Sequence, residues 1–321
     1  MSVLVTGGAG YIGSHVARLL AMRGERVVVL DDFTAGVASR AAEHARETLD
    51  LSAPDAVERL RDVIARHEVS AVIHLAARKQ VGQSVEQPEW YYQQNVGALA
   101  NLLLAMRASN VTRLVFSSSA AAYGMPDVPT VDENLECHPI NPYGETKLIG
   151  EWMVAAAARA WNLRAASLRY FNVAGAGWPE LADTAVANLV PIVFAAIRTG
   201  QKPKVFGTDY PTSDGTCVRD YVHVHDLAEA HLSALDYLES EQRPHSVFNV
   251  GTGVGSSVLE VLAEIKRVSG IDFEVDLEPR RAGDPPFLAA DVSRIKQTLG
   301  WSAKLGLTEI IESAWAATSK Q

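Results

Sequence analysis

Between an apolar run at residues 2–6 and a helical one at residues 14–23 stands Gly7-Gly8-Ala9-Gly10-Tyr11-Ile12-Gly13. A strand that turns on glycines directly into a helix commits the chain to a βα unit of the kind that builds a doubly wound parallel sheet. Val16, Leu19 and Leu20 recur on one side of the helical segment, and Gly24 suits its C-cap. Gly7 permits the tight turn, Gly10 lets the backbone approach a pyrophosphate, and Gly13 allows close packing of helix on strand. The helix start at Tyr11 and Ile12 supplies N–H groups and a favourable dipole for an anion. The spacing, G-x-x-G-x-x-G, is one residue wider at the front than the dehydrogenase fingerprint. Residues 27–30 form the next strand, which ends at Asp31 and Asp32. A carboxylate at Asp31 can accept both ribose hydroxyls of an adenosine and would repel a 2′-phosphate, so NAD is expected rather than NADP.

Strand and helix alternate through the first half. Strands are expected at 3–6, 27–30, 71–75, 114–117 and 166–170, with helices at 14–23, 54–67, 88–109 and 143–161. That order implies a doubly wound parallel sheet of the Rossmann type. Ligands gather at the carboxyl ends of such strands, where Asp31, Ala76, Ser119 and Asn172 fall. We expect a nucleotide-binding domain over residues 1–173, with return segments near 220–250. The rest, 174–321, reads as a smaller mixed α/β substrate region built from discontinuous segments. Its Gly-, Pro- and Asp-rich stretches at 207–216 and 279–286 suggest ligand-facing loops.

Tyr143 and Lys147 stand one helical turn apart and project from one face. A tyrosine with a pKa near ~10 is a poor base at neutral pH. A nearby ammonium favours the phenolate, so Lys147 is expected to lower Tyr143 into a useful range for proton transfer. By itself a Tyr-x-x-x-Lys pair is more often a surface tyrosine and a surface lysine. The dinucleotide turn at the front of the chain gives this one its meaning.

Composition excludes other classes. Of 321 residues, 48% are hydrophobic and 21% charged, as in soluble enzymes. The net charge of −9 argues against nucleic acid as the main ligand. An anionic substrate must then be held by a few local arginines. Cys137 and Cys217 are too few for a disulfide scaffold or a zinc site; Cys137 lies just upstream of Tyr143, close enough in sequence to sit near the site, and the leading expectation for it is a buried packing thiol. No metal is expected. The first strand starts without a leader, and the apolar run at 189–197 is too short to cross a bilayer, so the expectation is a cytoplasmic protein without a membrane segment.

The motifs carry a resemblance that runs nearly end to end. Val5-Thr6-Gly7-Gly8-Ala9-Gly10-Tyr11-Ile12-Gly13-Ser14-His15, His74-Leu75-Ala76-Ala77, Phe116-Ser117-Ser118-Ser119, Pro142-Tyr143-Gly144 and Leu168-Arg169-Tyr170-Phe171-Asn172 resemble the extended short-chain dehydrogenase/reductase superfamily. With Pro279 to Asp284 the match looks most like its UDP-glucose 4-epimerase family, and the stretch Phe206 to Thr212, Asp214-Gly215-Thr216 and Val218 to Val224 is the part more specific to nucleotide-sugar 4-epimerases. The resemblance implies that Ser119 bonds the reacting sugar oxygen, that Tyr143 is the base at the sugar 4′-hydroxyl, and that Lys147 binds the nicotinamide ribose. Beyond the glycine turn and Asp31, it adds Asp32, Asp50, Leu51, Leu75, Ala76, Ala77, Lys79, Asn95, Ser117 and Phe171 to the NAD site. For a UDP-sugar it implies Arg219 and Arg281 on the diphosphate and Asn172 on a phosphate or sugar oxygen. Asn188 and Leu189 mark a nucleotide-binding helix start. Lys204 and Phe206 meet uracil, largely through backbone groups, and Asp284 the uridine ribose. Several of these residues also have plain structural readings: Ser119 as a strand-end turn, Asp50 as a helix-start residue, Phe171 as core and Arg219 as an ion pair with Asp220.

The resemblance also implies a homodimer, pairing the helices at 88–109 and 143–161 across a two-fold axis. Leu99, Leu102, Leu103, Met106, Trp152 and Met153 are the expected apolar surface, unless they pack only on their own sheet. After Ser119 the chain reads Ala120-Ala121-Ala122, where nucleotide-sugar dehydratases and decarboxylases place acidic side chains. Alanine neither gives nor takes a proton. Epimerisation needs no second acid/base pair, since one tyrosine serves both directions. Two departures bear on the sugar. The stretch 175–188 is shorter than the family's usual loop. Leu288 stands where several bacterial members place a tyrosine against the sugar C2 group, with Phe287 beside it. The leading expectation is therefore a UDP-glucose/UDP-galactose 4-epimerase acting through a 4-keto sugar. Rivals are a UDP-N-acetylhexosamine 4-epimerase, a catalytically silent NAD- and nucleotide-sensing protein, and a net oxidoreductase.

Overall fold

Ser2–Thr6 is buried at every position and Ala71–His74 likewise, as strands covered on both faces must be. The computed structural model describes residues 1–240, 243–281 and 283–318. Ala282, inside the arginine-rich motif, lies outside the described residues. The chain divides into two units. The first comprises Met1–Tyr123, Cys137–Arg169 and Ala228–Phe248. Segment 124–136 clusters with the second unit.

The central sheet has seven strands in the order His245–Val250, Arg164–Tyr170, Arg113–Ser119, Ala71–His74, Ser2–Thr6, Arg26–Asp31, Ala45–Thr48. Ser2–Thr6 runs parallel to both its neighbours, with Val3 opposite Val27 on one side and Ala71 on the other. The doubly wound Rossmann fold is thereby realised. Leu4, Val28 and Leu114 from the sheet pack with Leu60, Leu99, Leu102 and Met106 from the helices. Ala45–Thr48 was not expected: it is a short, largely exposed edge strand with almost no apolar signal. The helix expected at 88–109 is interrupted. Pro88–Tyr91 passes into a π-helical turn, Tyr92–Gly97, before Ala98–Ala108. Such a turn carries i→i+5 hydrogen bonds and is frequent at functional sites. Leu99, Leu102, Leu103 and Met106 are all buried in this unit's own core, against the expectation that they supply surface for a partner. Trp152, in contrast, is 61% exposed and Leu104 56%.

The second unit comprises Gly124–Glu136, Tyr170–Leu227 and Asn249–Gln321. Val218–His223 is its hub, pairing antiparallel with Gly255–Ser257 and parallel with Phe287–Ala290 and Asn172–Ala174. Lys204–Phe206 pairs separately with Asp276–Glu278. Leu189–Arg198, Val258–Ser269 and Leu307–Thr318 close a core around Val193, Phe194, Ile265 and Ile310. Val258–Ser269 is delimited locally: Ser257 and Glu260 form a reciprocal capping box, and Gly270 ends the helix in the left-handed region. This is the smaller mixed α/β region expected. Among the described residues, no helix is long and apolar enough to cross a membrane.

Candidate active site

In the first unit the glycine turn is closed by contact. Gly7 adopts φ +69°, and a β-carbon there would lie 2.6 Å from the Ala76 amide nitrogen. At Gly13 a β-carbon would lie 2.2 Å from the Gly7 carbonyl oxygen. The turn thus has room for backbone only, and it delivers Gly10 as N-cap of Tyr11–Met22 with no side chain capping that end. An uncapped helix start facing a bare backbone turn is a receptor for a diphosphate. Asp31, at the end of Arg26–Asp31, accepts the Ala9 amide at 3.0 Å and the Phe33 amide at 2.9 Å. Each carboxylate oxygen uses one lone pair this way, which leaves capacity for the two hydroxyls of a ribose. Burial raises its pKa against those amide bonds. The residues present therefore fit a dinucleotide.

Other cofactor candidates surround this turn. Leu75, Ala76 and Ala77 follow Ala71–His74, and Lys79 beyond them is exposed. Asp50 is exposed and accepts from Ser52, while Leu51 beside it is buried. Asn95 is buried on the π-helical turn, where its amide holds the backbone of Arg78 and the hydroxyl of Thr146. Phe171 belongs to the second unit, buried, with its amide on Val250. Arg78 and its partner Asp32 escaped the sequence reading as a pair. Nothing in the local pattern joins residues so far apart in the chain.

Ser119, Tyr143 and Lys147 come together at the carboxyl end of Arg113–Ser119. Asn141 caps the helix Pro142–Trp161 by accepting the Gly144 amide at 2.9 Å, which fixes where Tyr143 enters. The Lys147 ammonium donates to the Ser117 carbonyl at 2.8 Å and lies over the Tyr143 ring, 5.8 Å from its centre. Burial pushes Lys147 down to about 8. The expected lowering of Tyr143 is not found in the chain itself. Burial raises the phenol, and a hydrogen bond with Ser119 opposes it without prevailing. The reason is desolvation, the largest influence on the buried phenol. Ser119 Oγ also accepts the Ala121 amide at 3.1 Å, at the head of the short turn Ala120–Tyr123. Behind this group a buried ion pair joins helix to sheet. Arg169 donates to Glu151 through Nε at 2.9 Å and Nη2 at 2.7 Å, and Ser118 donates to the same carboxylate.

In the second unit Arg219 is held by the Val218 and Pro285 carbonyls at 2.8 and 2.7 Å and meets Asp284 at 3.3 Å. The bland pairing with Asp220 is excluded by alternation along the strand. Asp220 is fully buried and accepts the amides of Thr252, Gly253 and Ala290 instead. Arg281 stacks on Phe206 at 3.8 Å. Lys204 is paired with Glu278 at 2.8 Å. Asn188 and Leu189 stand at the start of Leu189–Arg198, and Asn172 bonds Tyr221. Leu288 is registered opposite Arg219, so the two share a face. Phe287 points to the other face, where a β-carbon at Gly255 would lie 2.9 Å from its ring. Cys217 is buried, but Cys137 is only half-buried, unlike the packing thiol expected.

Known proteins resemble this chain over nearly its whole length. Residues 3–251 match the NAD dependent epimerase/dehydratase family. The chain is 43% identical over 326 residues to a UDP-glucose 4-epimerase of Corynebacterium glutamicum, covering 99% of this chain and 96% of that protein. It superposes with TM-score 0.95 and 38% identity on the UDP-glucose-4-epimerase of Stenotrophomonas maltophila, solved with bound NAD and formylated UDP-arabinopyranose, over 100% of this chain and 98% of that one. A UDP-Glc/GlcNAc 4-epimerase from Campylobacter jejuni matches with TM-score 0.86 and 38% identity, over 100% and 99% of the two chains. The chain belongs to the NAD-dependent epimerase/dehydratase family, within its UDP-glucose 4-epimerase branch.

Proposed function

We propose that the chain interconverts UDP-glucose and UDP-galactose by epimerisation at C4′, with NAD as a retained cofactor. The observation that carries the reading is the grouping of Ser119, Tyr143 and Lys147 at one strand end, followed by alanines in place of a second acid or base. When bound, NAD supplies the hydride acceptor and donor at C4′ and a positive charge that favours the phenolate. Tyr143 takes the proton of the 4′-hydroxyl as the 4-keto sugar forms, and returns it as the opposite epimer forms. Ser119 orients that oxygen and stabilises the phenolate by donating to it. Lys147, fixed by the Ser117 carbonyl, offers its remaining protons to a ribose. Asp31 and the turn Gly7–Gly13 hold the adenosine and diphosphate of the cofactor. Arg219, Arg281, Phe206, Asp284, Asn172 and the Asn188–Leu189 helix start are assigned to UDP. Arginine's forked donors suit a diphosphate.

Leu288 favours a second reading beside the first. It shares the face of Arg219, while Phe287 is engaged by Gly255 and cannot fill the same volume. A leucine there leaves room for an N-acetyl group at C2, so UDP-N-acetylglucosamine is proposed as an additional substrate. We assign the activity to galactose metabolism in the cytoplasm, in keeping with a chain whose two cysteines are too few for a disulfide scaffold. A homodimer is proposed on the exposed Trp152 and Leu104. The deciding experiment offers UDP-galactose and UDP-N-acetylgalactosamine in parallel coupled assays. Turnover of the first without release of NADH is expected. Steady NADH release means a dehydrogenase, and inertness toward both means a sensing protein.

A further inference from the structure

In the central sheet Ser2–Thr6 lies between the strands that end at His74 and Asp31. Residue 78, beyond His74, and residues 32 and 34, beyond Asp31, therefore belong to loops that leave the sheet on either side of the carboxyl end of Ser2–Thr6, where the glycine turn begins. Two strand spacings amount to roughly 10 Å, and arginine is one of the few side chains long enough to help span them. Arg78 does so. Its Nη2 meets Asp32 Oδ2 at 2.6 Å and its Nη1 meets Thr34 Oγ1 at 2.5 Å. Nε and Nη2 also donate to Gln94 Oε1 at 3.2 and 3.1 Å. The backbone beneath is clamped as well, since Asn95 accepts the Arg78 amide at 2.8 Å and donates to its carbonyl at 3.0 Å. The same Asn95 amide donates to Thr146, the neighbour of Lys147.

An ordinary surface ion pair is unlike this. The side chains of Arg78 and Asp32 are 22% and 24% exposed, and the guanidinium is held at both ends. Burial works to raise the Asp32 carboxyl, yet the Thr34 bonds and the Arg78 charge outweigh it and hold the group below its usual value. We propose that Arg78 is a cofactor-retaining residue: its bridge to Asp32 and Thr34 straps the dinucleotide against the glycine turn and sets how fast NAD leaves. The proposal rests on the reading of that turn as an NAD site. It gives Asp32 a role apart from that of Asp31, as the far anchor of the strap.

The test is exchange of bound NAD for etheno-NAD in the purified holoprotein, followed by fluorescence with no sugar present. Arg78→Leu is expected to exchange roughly ten-fold faster than the native chain, the scale of one charge-assisted hydrogen bond. Thr34→Val, which removes one anchor at an exposed position, is expected to fall between the two. Added salt accelerates exchange more in the native chain, where it also weakens the part-exposed ion pair, than in Arg78→Leu. After gel filtration, Arg78→Leu loses turnover and recovers it when NAD is added back. Exchange at the native rate in folded Arg78→Leu overturns the strap, as does a salt response undiminished in that variant. Because no sugar is involved, failure here leaves the epimerase reading untouched. A native chain that retains no NAD contradicts the cofactor reading itself, and the strap with it.

Discussion

Lys147 stands one turn beyond Tyr143, and its ammonium donates to the Ser117 carbonyl at 2.8 Å while lying over the tyrosine ring, 5.8 Å from its centre. The lysine is thus a fixed charge in a dry place, and the phenol gains from it only in concert with other groups. Burial, the dominant influence on both side chains, pushes the tyrosine up and the lysine down.

Tyr143→Phe removes the proton carrier and leaves the ring in place. Turnover is expected to fall by ~10²–10⁴-fold, the usual contribution of a general acid–base group. Bound NAD, read by absorbance after gel filtration, is expected to stay. Near-native turnover in the folded variant removes Tyr143 from the mechanism.

Lys147 gives a pH signature. Its folded pKa, about 8, lies below its ordinary 10.5. Below pH ~8 both states are charged and the folded state carries the full cost of burying that charge; above ~10.5 both are neutral and the cost is gone. Stability therefore rises with pH across this window. In nucleotide-free protein, Lys147→Met is expected to exceed the native chain by up to about 3 kcal/mol at pH 7. The gap closes toward pH ~10 as Lys147 loses its proton. Urea unfolding at several pH values reads the gap, and a constant gap places its origin elsewhere.

Glu151 neutralises Arg169 where neither side chain reaches solvent, at 4% and 5% exposure. Glu151→Ala strands a buried guanidinium, whose Nη1 already lacks a hydrogen-bond partner. A loss of about 3–5 kcal/mol is expected. Combining it with Arg169→Met is expected to recover much of that loss. Urea midpoints of the two variants decide, and equal stability of single and double variants rejects the pairing as the source.

Leu288→Tyr fills the volume proposed for a C2 substituent. The ratio of kcat/KM for UDP-N-acetylglucosamine over UDP-glucose is expected to drop, by an amount corresponding to ~1–3 kcal/mol. If Leu288 serves only packing, stability and both activities fall together. An unchanged ratio in a well-folded variant transfers the choice of sugar to the shortened segment 175–188.

Trp152 is the largest exposed apolar side chain on the helix that carries Tyr143. Trp152→Glu is expected to turn a dimer into a monomer by light scattering at micromolar concentration. A native chain that is already monomeric there defeats the proposed dimer.

The sequence alone determined the fold class, because glycine turns and strand–helix alternation are local properties. A β-carbon cannot be added at Gly7 or Gly13 without collision, and the chain says so in its own letters. The grouping of Ser119, Tyr143 and Lys147 was expected for the same reason, since each belongs to a short motif on a regular element. Leu288 was legible as a departure from the family, but strand register alone decided that it, and not Phe287, shares a face with Arg219. The partner of Arg219 proved to be Asp284, distant in sequence, because alternation turns the adjacent Asp220 inward. The direction of the Tyr143 pKa depended on burial, which no spacing reports. The link of Arg78 to Asp32 arises because sheet order puts the first strand between two later ones. Pairings set by sheet order and by desolvation are properties of the packed chain, and only the tertiary structure could decide them.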